Sequence, residues 1–185
     1  MSDAPVDYSN GIDPERALKY AIQHLKDDRA EIIEGVIDAA PPDWDHEAVA
    51  DALREQIRAR ARELGCVIGS GNLDLPGSAN WYVPDLAVVP AAAAKGGAAL
   101  RPVDTLLVVE VTSGADEDTD RVVKRQRYAE YGAPLYLLVD RQQRSLTLYS
   151  GPGRLGYART DGPHPYGSPV RIPDPFGIDL DTGGL

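Results

Sequence analysis

Cysteine and long apolar runs are what this sequence of 185 residues has least of. Its single cysteine, Cys66, has no partner for an internal disulfide, which favours a reducing cytoplasm, and we expect it to be a small core residue. No apolar run approaches the length of about 20 residues that a membrane-spanning helix needs. The opening stretch MSDAPVDYSNG has no basic segment followed by an apolar one, so no signal peptide is expected.

Basic charge is also scarce. Lysine and arginine number 19 against 29 aspartates and glutamates, which leaves a net charge of -10 at neutral pH. This balance disfavours loose, non-specific binding of nucleic acid, because such binding depends on a basic surface. It does not exclude an enzyme that acts on phosphodiesters, since an acidic metal site and a local basic patch can coexist with an acidic surface.

The composition is typical of a globular chain. Hydrophobic residues make up 43% and charged residues 26%, so we expect one domain over residues 1–185, with residues 1–12 disordered. Helical and strand patterns are mixed along the chain and end in a strand, a helix and a strand. The order predicts an α/β fold, a mixed β-sheet flanked by helices.

Apolar periodicity and capping signals divide the chain into elements. The first half predicts a helix from Asp13 to about Asp27, a strand pair in AEIIEGVIDAAPP, a helix from Asp43 to Leu64, one or two weak strands in residues 66–75, and a strand from Tyr82 to Val89. The second half predicts a long connection over residues 90–105, a strand from Leu106 to Ser113, a helix from about Asp120 to Tyr131, a buried strand from Leu135 to Asp140, and a hairpin strand from Leu146 to Tyr149. The Gly- and Pro-rich remainder is expected to hold only short edge segments.

The strand that reads LLVVEVTS carries Glu110 among apolar neighbours. A buried carboxylate costs roughly several kcal/mol unless a cation or hydrogen-bond donors compensate it. If the strands on either side of the long connection pair antiparallel with Val89 opposite Leu106, then Asp85 lies opposite Glu110, because opposed residue numbers keep a constant sum. The two Cβ atoms would lie about 4.5–5.5 Å apart. Carboxylates that close repel each other unless a divalent cation lies between them, so we predict that this pair holds Mg²⁺.

The helix after this strand supplies positive charge. In DRVVKRQRYAEYG, Arg121, Lys124 and Tyr128 are spaced i, i+3 and i+7, which predicts that they share one helix face. The connection can bring that face over the Glu110 end of the sheet. A lysine there could stabilise the charge that develops on a phosphate.

Pro84-Asp85 followed by Glu110-Val111-Thr112 resembles the PD-(D/E)XK nuclease superfamily, and within it an uncharacterised restriction endonuclease branch. The stretches that carry the resemblance cover most of the chain from about residue 30 onward: EIIEGVI, DHEAVADAL, VPDLAVVP, LLVVEVTS, KRQRYAEYGAPLYLLVD and PFGIDLD. The resemblance implies a restriction-endonuclease-like fold.

The resemblance also implies an activity, that of a metal-dependent endonuclease that hydrolyses phosphodiester bonds with DNA as the substrate. Asp85, Glu110 and the carbonyl of Val111 would bind Mg²⁺ or Mn²⁺, which activates a water for in-line attack on phosphorus. Lys124 would orient that water or neutralise the phosphate. Many such nucleases pair to reach both strands, so a homodimer is a further expectation.

The lysine of the standard motif follows the glutamate by two residues, and Thr112 stands there in this sequence. In the related branch the lysine has moved to the next helix, which Lys124 matches, and Asp120 matches the acidic residue before it. Glu31 and His46 also match positions of the branch. From the residues alone, Glu31 fits a salt bridge equally well, and Asp120 and His46 fit the first turns of their helices.

Two other interpretations stay open. Glu110 is equally explained as a buried ion-pair partner of Lys124 or of an arginine. The acidic loop Asp116-Glu117-Asp118 departs from the more basic or hydroxyl-rich loop of the family, which weakens the case for ordinary DNA docking beside the site. The alternative function is that of a catalytically inactive module that binds nucleic acid or a protein. Three tyrosines are expected to be core and rim aromatics: Tyr128, Tyr131 and Tyr136.

Overall fold

The structure of the chain is a computed structural model that describes residues 13–25, 29–39, 42–96, 99–112 and 118–185. The expected disorder of residues 1–12 and the acidic residues Asp116 and Glu117 lie outside the described residues. Within the described ranges, none of the helices combines the length and the hydropathy needed to cross a membrane.

The described residues of the first half of the chain form three helices and six strands. They are α1 (Pro14–Gln23), β1 (Glu31–Ile33), β2 (Val36–Asp38), α2 (Trp44–Glu63), β3 (Cys66–Gly69), β4 (Leu73–Leu75), β5 (Asn80–Tyr82), β6 (Leu86–Pro90) and α3 (Ala91–Ala94). Helix α2 begins where the side chain of Asp43 accepts a hydrogen bond of 2.7 Å from the backbone N–H of His46, which caps the helix.

The second half begins with a short 3₁₀ turn, Pro102–Asp104. It continues with β7 (Leu107–Val111), a π-helix (Thr119–Lys124), α4 (Arg125–Glu130), β8 (Leu135–Asp140), β9 (Ser145–Gly153), β10 (Gly156–Pro165), β11 (Val170–Ile172) and β12 (Ile178–Leu180). The 90–105 connection thus contains a short helix at its start and a 3₁₀ turn at its end.

Over the described ranges, the main sheet has six strands in the order β10-β9-β8-β7-β6-β3. Strands β7 and β8 are parallel and the other neighbours are antiparallel, which confirms the mixed α/β sheet predicted from the sequence. A second, antiparallel sheet has the order β2-β1-β5-β4. It is formed by the segments that lie on either side of α2 in sequence.

The central strands of the main sheet are buried on both faces. Helix α2 covers one face with the side chains Leu53 and Ile57, which pack with Val109 and other alternate residues of β6 to β9. The other face carries a cluster rich in tyrosine, including Tyr82, Tyr128, Tyr136 and Tyr149. Glu110 follows Val109 in β7, so its side chain projects to the tyrosine face.

The predicted strand from Tyr82 to Val89 is wrong in one respect, because it is two strands in two sheets. Strand β5 ends at Tyr82 and β6 begins at Leu86. Pro84 lies in the break; it has no N–H to donate to a sheet and it restricts the residue before it. Asp85 is therefore placed at the junction of the two sheets.

Two element lengths also differ from the predictions. Helix α1 ends at Gln23 rather than near Asp27, and the N–H of His24 donates to the carbonyl of Ala21 in a tightened last turn. The Gly- and Pro-rich segment forms β10, a strand of 10 residues with an irregularity between Asp161 and His164. An edge strand tolerates the missing N–H of Pro163 at such a bulge.

The predicted helix from Asp120 to Tyr131 begins with the π-helix, and this changes which residues share a face. In a π-helix the hydrogen bonds run from i to i+5, so the α-helical spacing does not apply. The prediction that Arg121 shares a helix face with Lys124 and Tyr128 is wrong. The guanidinium of Arg121 instead binds Oδ2 of Asp140, at 2.7 Å from Nε and 2.6 Å from Nη2. Asp120 and Lys124 lie on the same side instead.

Candidate active site

The site lies at the edge of the main sheet where β6 begins and β7 ends. The pairing of Leu86 with Val109 confirms the predicted register, which places Asp85 opposite Glu110. The backbone N–H of Val111 donates to Oδ2 of Asp85 over 2.7 Å, and the N–H of Asp85 lies 3.4 Å from Oε2 of Glu110. The carboxylate of Glu110 is therefore tied to the backbone of Asp85, and the carboxylate of Asp85 to the backbone of Val111, the residue after Glu110.

Glu110 is almost completely buried, at 1% exposure, and its two oxygens face different groups. The hydroxyl of Tyr128 donates to Oε1 over 2.6 Å, and Nζ of Lys124 lies 3.4 Å from the same oxygen. Oε2 faces Asp85. The predicted face of Lys124 and Tyr128 does reach Glu110, whereas the role predicted for Tyr128 itself is only that of a core or rim aromatic.

Lys124 is the central cation of the site. Its Nζ lies 2.9 Å from Oε2 of Glu31 and 3.5 Å from Oδ1 of Asp120, and it lies 5.7 Å from the centroid of the Tyr82 ring. The other oxygen of Glu31 accepts a hydrogen bond of 2.7 Å from the N–H of Val83. Val83 lies in the short link between β5 and β6 that also contains Asp85. Glu31 and Asp120 therefore belong to the same cluster as Glu110.

Asp85 has two further partners outside the main sheet. Nε2 of His46, in the first turn of α2, lies 3.1 Å from Oδ2, and Nη2 of Arg29 lies 3.2 Å from Oδ1. Arg29 also contacts Glu47 at 3.1 Å. In the part of the chain that the structure describes, Nδ1 of His46 is buried without a hydrogen-bond partner. No sequence pattern indicates Arg29, which stands in a connection without periodicity.

Burial and crowding raise the pKa values of two acids of the site, Glu110 and Asp120. Burial raises the pKa of Glu110 well above its ordinary value, and the neighbouring Asp85, Asp120 and Glu31 add to the effect while Lys124 opposes it. Burial and the same kind of crowding raise the pKa of Asp120 to about 6. Both acids are therefore harder to ionise than an exposed carboxyl group.

The pKa values of Lys124 and His46 are raised as well. Burial opposes the charge on Lys124, but Glu110, Glu31 and Asp120 outweigh it and raise the pKa of its ammonium group well above the ordinary value. Burial likewise opposes protonation of His46, and the contact with Asp85 outweighs it, so the pKa of the imidazole is raised. Both groups favour their cationic forms beside the acids.

The donor set fits a hard divalent cation. Among the described residues, no group of three or more His, Cys, Asp or Glu side chains is arranged to hold a metal. The candidate ligands are instead Asp85, Glu110 and the carbonyl of Val111, and Mg²⁺ takes one or two carboxylates together with water and phosphate oxygens. The N–H and C=O of a strand residue point to the same side, so the carbonyl of Val111 faces Asp85 as its N–H does.

A groove of about 600 Å³ adjoins this edge of the sheet. It is lined by the first turn of α2, by Thr112 directly after β7, and by Arg141, Arg144 and Tyr166. Arg141 binds Asp43 at 3.0 Å, whereas Arg144 lies 4.9 Å from the centroid of the Tyr166 ring and has no carboxylate partner among the described residues. Only Asp118 of the predicted acidic loop is described, and it is exposed.

The residues proposed from the sequence thus form one network of contacts: Asp85, Glu110, Val111, Lys124, Glu31, His46 and Asp120. A comparison with solved structures finds a crystal structure from Anabaena variabilis, described as a "putative nuclease belonging to DUF820". Its TM-score is 0.72 at 16% sequence identity, and the match covers 90% of this chain and 94% of that one. The likeness establishes the fold.

A comparison with curated proteins finds no match. Residues 16–182 match a protein family, Uma2, that is described as "Putative restriction endonuclease". The match spans nearly the whole chain and includes every residue of the site. Together with the fold, it supports a nuclease function and a place in the PD-(D/E)XK superfamily. The chain belongs to the Uma2 family.

Proposed function

We propose that the protein is a metal-dependent endonuclease that hydrolyses phosphodiester bonds in DNA, with Asp85, Glu110 and the Val111 carbonyl as metal ligands. The observation that carries this proposal is the pair of adjacent buried carboxylates at the sheet edge, with Lys124 at 3.4 Å from one of them. Family membership supports the reaction class. The choice of DNA follows the family resemblance.

Mg²⁺ or Mn²⁺ held by these ligands would supply a Lewis acid that offsets charge on the phosphate and activates water. The chain's own groups do the remaining work. Lys124 places a permanent positive charge beside the ligands, where it stabilises the additional negative charge of the pentavalent phosphorus. Glu31 and Asp120 hold that ammonium group in place from two sides.

His46 and Arg29 act on Asp85 rather than on the substrate. They bind the two oxygens of Asp85 from outside the sheet, at 3.1 Å and 3.2 Å, and so fix the orientation of its carboxylate. Oδ1 of Asp85 retains a second lone pair that a cation can use, whereas Oδ2 already accepts from the N–H of Val111 and contacts His46. Outer contacts of this kind are typical of metal-binding side chains.

The adjoining groove gives the substrate chain a path next to the ligands. Thr112, which follows the proposed ligand Val111 directly, lines the groove. Arg144 also lines it and supplies a positive charge that no carboxylate of the described residues neutralises. We propose that DNA on one side of the scissile phosphate lies in this groove. The acidic surface elsewhere would keep non-specific binding weak.

An assay of cleavage tests the proposal directly. Purified protein is incubated with plasmid, single-stranded DNA and RNA in the presence of Mn²⁺, Mg²⁺ or EDTA, beside the Lys124→Ala variant. The proposal requires DNA cleavage that EDTA abolishes and that the variant lacks. Equal cleavage by the variant would remove Lys124 from the mechanism, and cleavage of RNA alone would correct the substrate.

A second candidate is a catalytically inactive, nuclease-like module that binds nucleic acid or a protein. Lys124, Arg29 and His46 already give every acid of the site a basic partner, which favours this alternative. Such a module would keep its ligand after Asp85→Asn and Glu110→Gln and would show no cleavage before the substitutions. Binding and cleavage measured on the same preparations therefore separate the two functions.

A homodimer is part of the proposal, because one site cuts one strand at a time. Sedimentation at micromolar concentrations, with and without duplex DNA, measures the oligomeric state. A dimeric enzyme would convert supercoiled plasmid to linear product without a long-lived nicked intermediate, whereas a monomer would accumulate nicked circles.

A further inference from the structure

Tyr128 is the buried group of the site that the proposed chemistry does not yet use. Its side chain is 0% exposed, and its hydroxyl donates to Oε1 of Glu110 over 2.6 Å, the shortest contact that Glu110 makes among the described residues. Tyr128 stands one α-helical turn after Lys124, so two groups from one helical segment meet the same oxygen.

These contacts divide the two oxygens of Glu110 between two tasks. Oε1 faces Tyr128 and Lys124, while Oε2 faces the backbone of Asp85. Lys124 alone cannot fix this orientation, because Glu31 lies nearer to its Nζ than Glu110 does. The hydroxyl of Tyr128 has no competing acceptor among the described contacts.

The ring of Tyr128 cannot move away without disturbing its neighbours. Its centroid lies 5.4 Å from that of Tyr82 in an edge-on arrangement and 5.3 Å from that of Tyr136. The hydroxyl is therefore fixed by packing and not only by its hydrogen bond. Glu110 is positioned by a rigid donor.

We propose that Tyr128 is a positioning residue that orients Glu110 so that Oε2 is presented to a divalent cation beside Asp85. This inference rests on the proposed metal site. Without the hydroxyl, Oε1 would depend on Lys124 alone, and the carboxylate would be free to rotate toward the ammonium group. The carboxylate of Glu110 would then still be present as a ligand, but it would no longer be held in the orientation that binds the cation.

The test measures Mn²⁺ binding to the full chain by electron paramagnetic resonance or calorimetry, for wild type and for Tyr128→Phe. The phenylalanine keeps the packed ring and removes only the hydroxyl. Loss of a group that orients a ligand typically weakens metal affinity about 10- to 100-fold. The matched control is Tyr157→Phe, which removes a hydroxyl that donates to the carbonyl of Ala133 at 2.9 Å and touches no acid of the site.

We expect Tyr128→Phe to weaken Mn²⁺ binding within that range and Tyr157→Phe to bind Mn²⁺ like wild type. Thermal unfolding without metal shows whether both variants fold. If Tyr128→Phe lowers the midpoint but binds Mn²⁺ as tightly as wild type, Tyr128 is only a core residue and the inference is overturned. A wild type that binds no Mn²⁺ overturns the metal site itself, and this inference with it.

Discussion

Nζ of Lys124 lies 2.9 Å from Oε2 of Glu31, so the helical segment that follows β7 is tied to the second sheet. The contact is buried, with the side chain of Lys124 only 6% exposed and that of Glu31 14%. A contact between two separate layers of the fold places Lys124 beside Glu110 without depending on the neighbouring loop. The cluster is therefore both a structural tie and a candidate catalytic group.

Replacing Lys124 should destabilise the fold as well as stop cleavage. Lys124→Ala leaves Glu31, Glu110 and Asp120 buried without their shared cation, and breaking a buried pair costs about 3–5 kcal/mol. Urea unfolding in EDTA measures this loss. Adding Mn²⁺ should recover part of it, because a bound cation offsets the remaining acids.

Lys95→Ala is the matched control for that experiment, since Lys95 is an exposed lysine. It should change the free energy of unfolding by less than about 0.5 kcal/mol. A Lys124→Ala variant as stable as Lys95→Ala would contradict the buried network.

The ion pair of Arg121 with Asp140 should support stability but not metal binding. Asp140 is 5% exposed, and Arg121 meets its Oδ2 with two guanidinium nitrogens. Arg121→Ala leaves a buried carboxylate with less compensation, which we expect to cost about 1–3 kcal/mol in urea unfolding. Mn²⁺ affinity should stay within twofold of wild type. A larger loss of affinity would show that Arg121 supports the metal site together with Lys124, as the sequence pattern predicts.

Arg144 tests the proposed path of the substrate. Arg144→Ala should raise KM for DNA and reduce the salt dependence of binding by the contribution of about one phosphate contact, with kcat unchanged. Arg159→Ala, which removes an exposed arginine of β10 outside the groove, is the control. If both variants raise KM equally, the groove has no special part in binding.

The stability contributed by Glu34 should depend on pH. Arg127 binds both oxygens of Glu34 at 2.7 Å, and this contact holds the pKa of Glu34 below its ordinary value of 4.5. A lowered carboxyl pKa contributes stability above 4.5 that is lost as the pH falls through the folded value. Because the pair is partly exposed, Glu34→Gln should cost less than about 1 kcal/mol at pH 7.

The difference between Glu34→Gln and wild type should vanish in acid, as measured by thermal unfolding across the pH range. Asp51→Asn is a control on α2, where the side chain is 65% exposed and lies 3.4 Å from Arg54. It should show no such trend. A Glu34→Gln difference that grows in acid would reverse the sign of the argument.

The register of Asp85 against Glu110 could be predicted from the sequence because antiparallel pairing fixes it once one pair is known. The break at Pro84 was not predicted, since periodicity shows apolar alternation but not which sheet each segment joins. That break is what brings Glu31 of the second sheet to the site. Its role was expected only from the family resemblance.

Other parts of the site depend on geometry that no sequence pattern carries. Arg29, which contacts Asp85, lies in a connection between α1 and β1. Arg121 does not lie on the predicted face, because the helix begins with π turns, and it contacts Asp140 instead. Tyr128 was assigned to the core, and its ring does pack there. Its hydroxyl has a second role only because the ring is packed directly against a strand that carries an acid.

The most direct test of the account is Mn²⁺ binding to the wild-type chain compared with Asp85→Asn and Glu110→Gln, each checked for folding by circular dichroism. We predict one Mn²⁺ per chain in wild type and none, at the same concentrations, in either variant. Binding that survives both substitutions, or a folded wild type that binds no Mn²⁺, would contradict a metal site between Asp85 and Glu110.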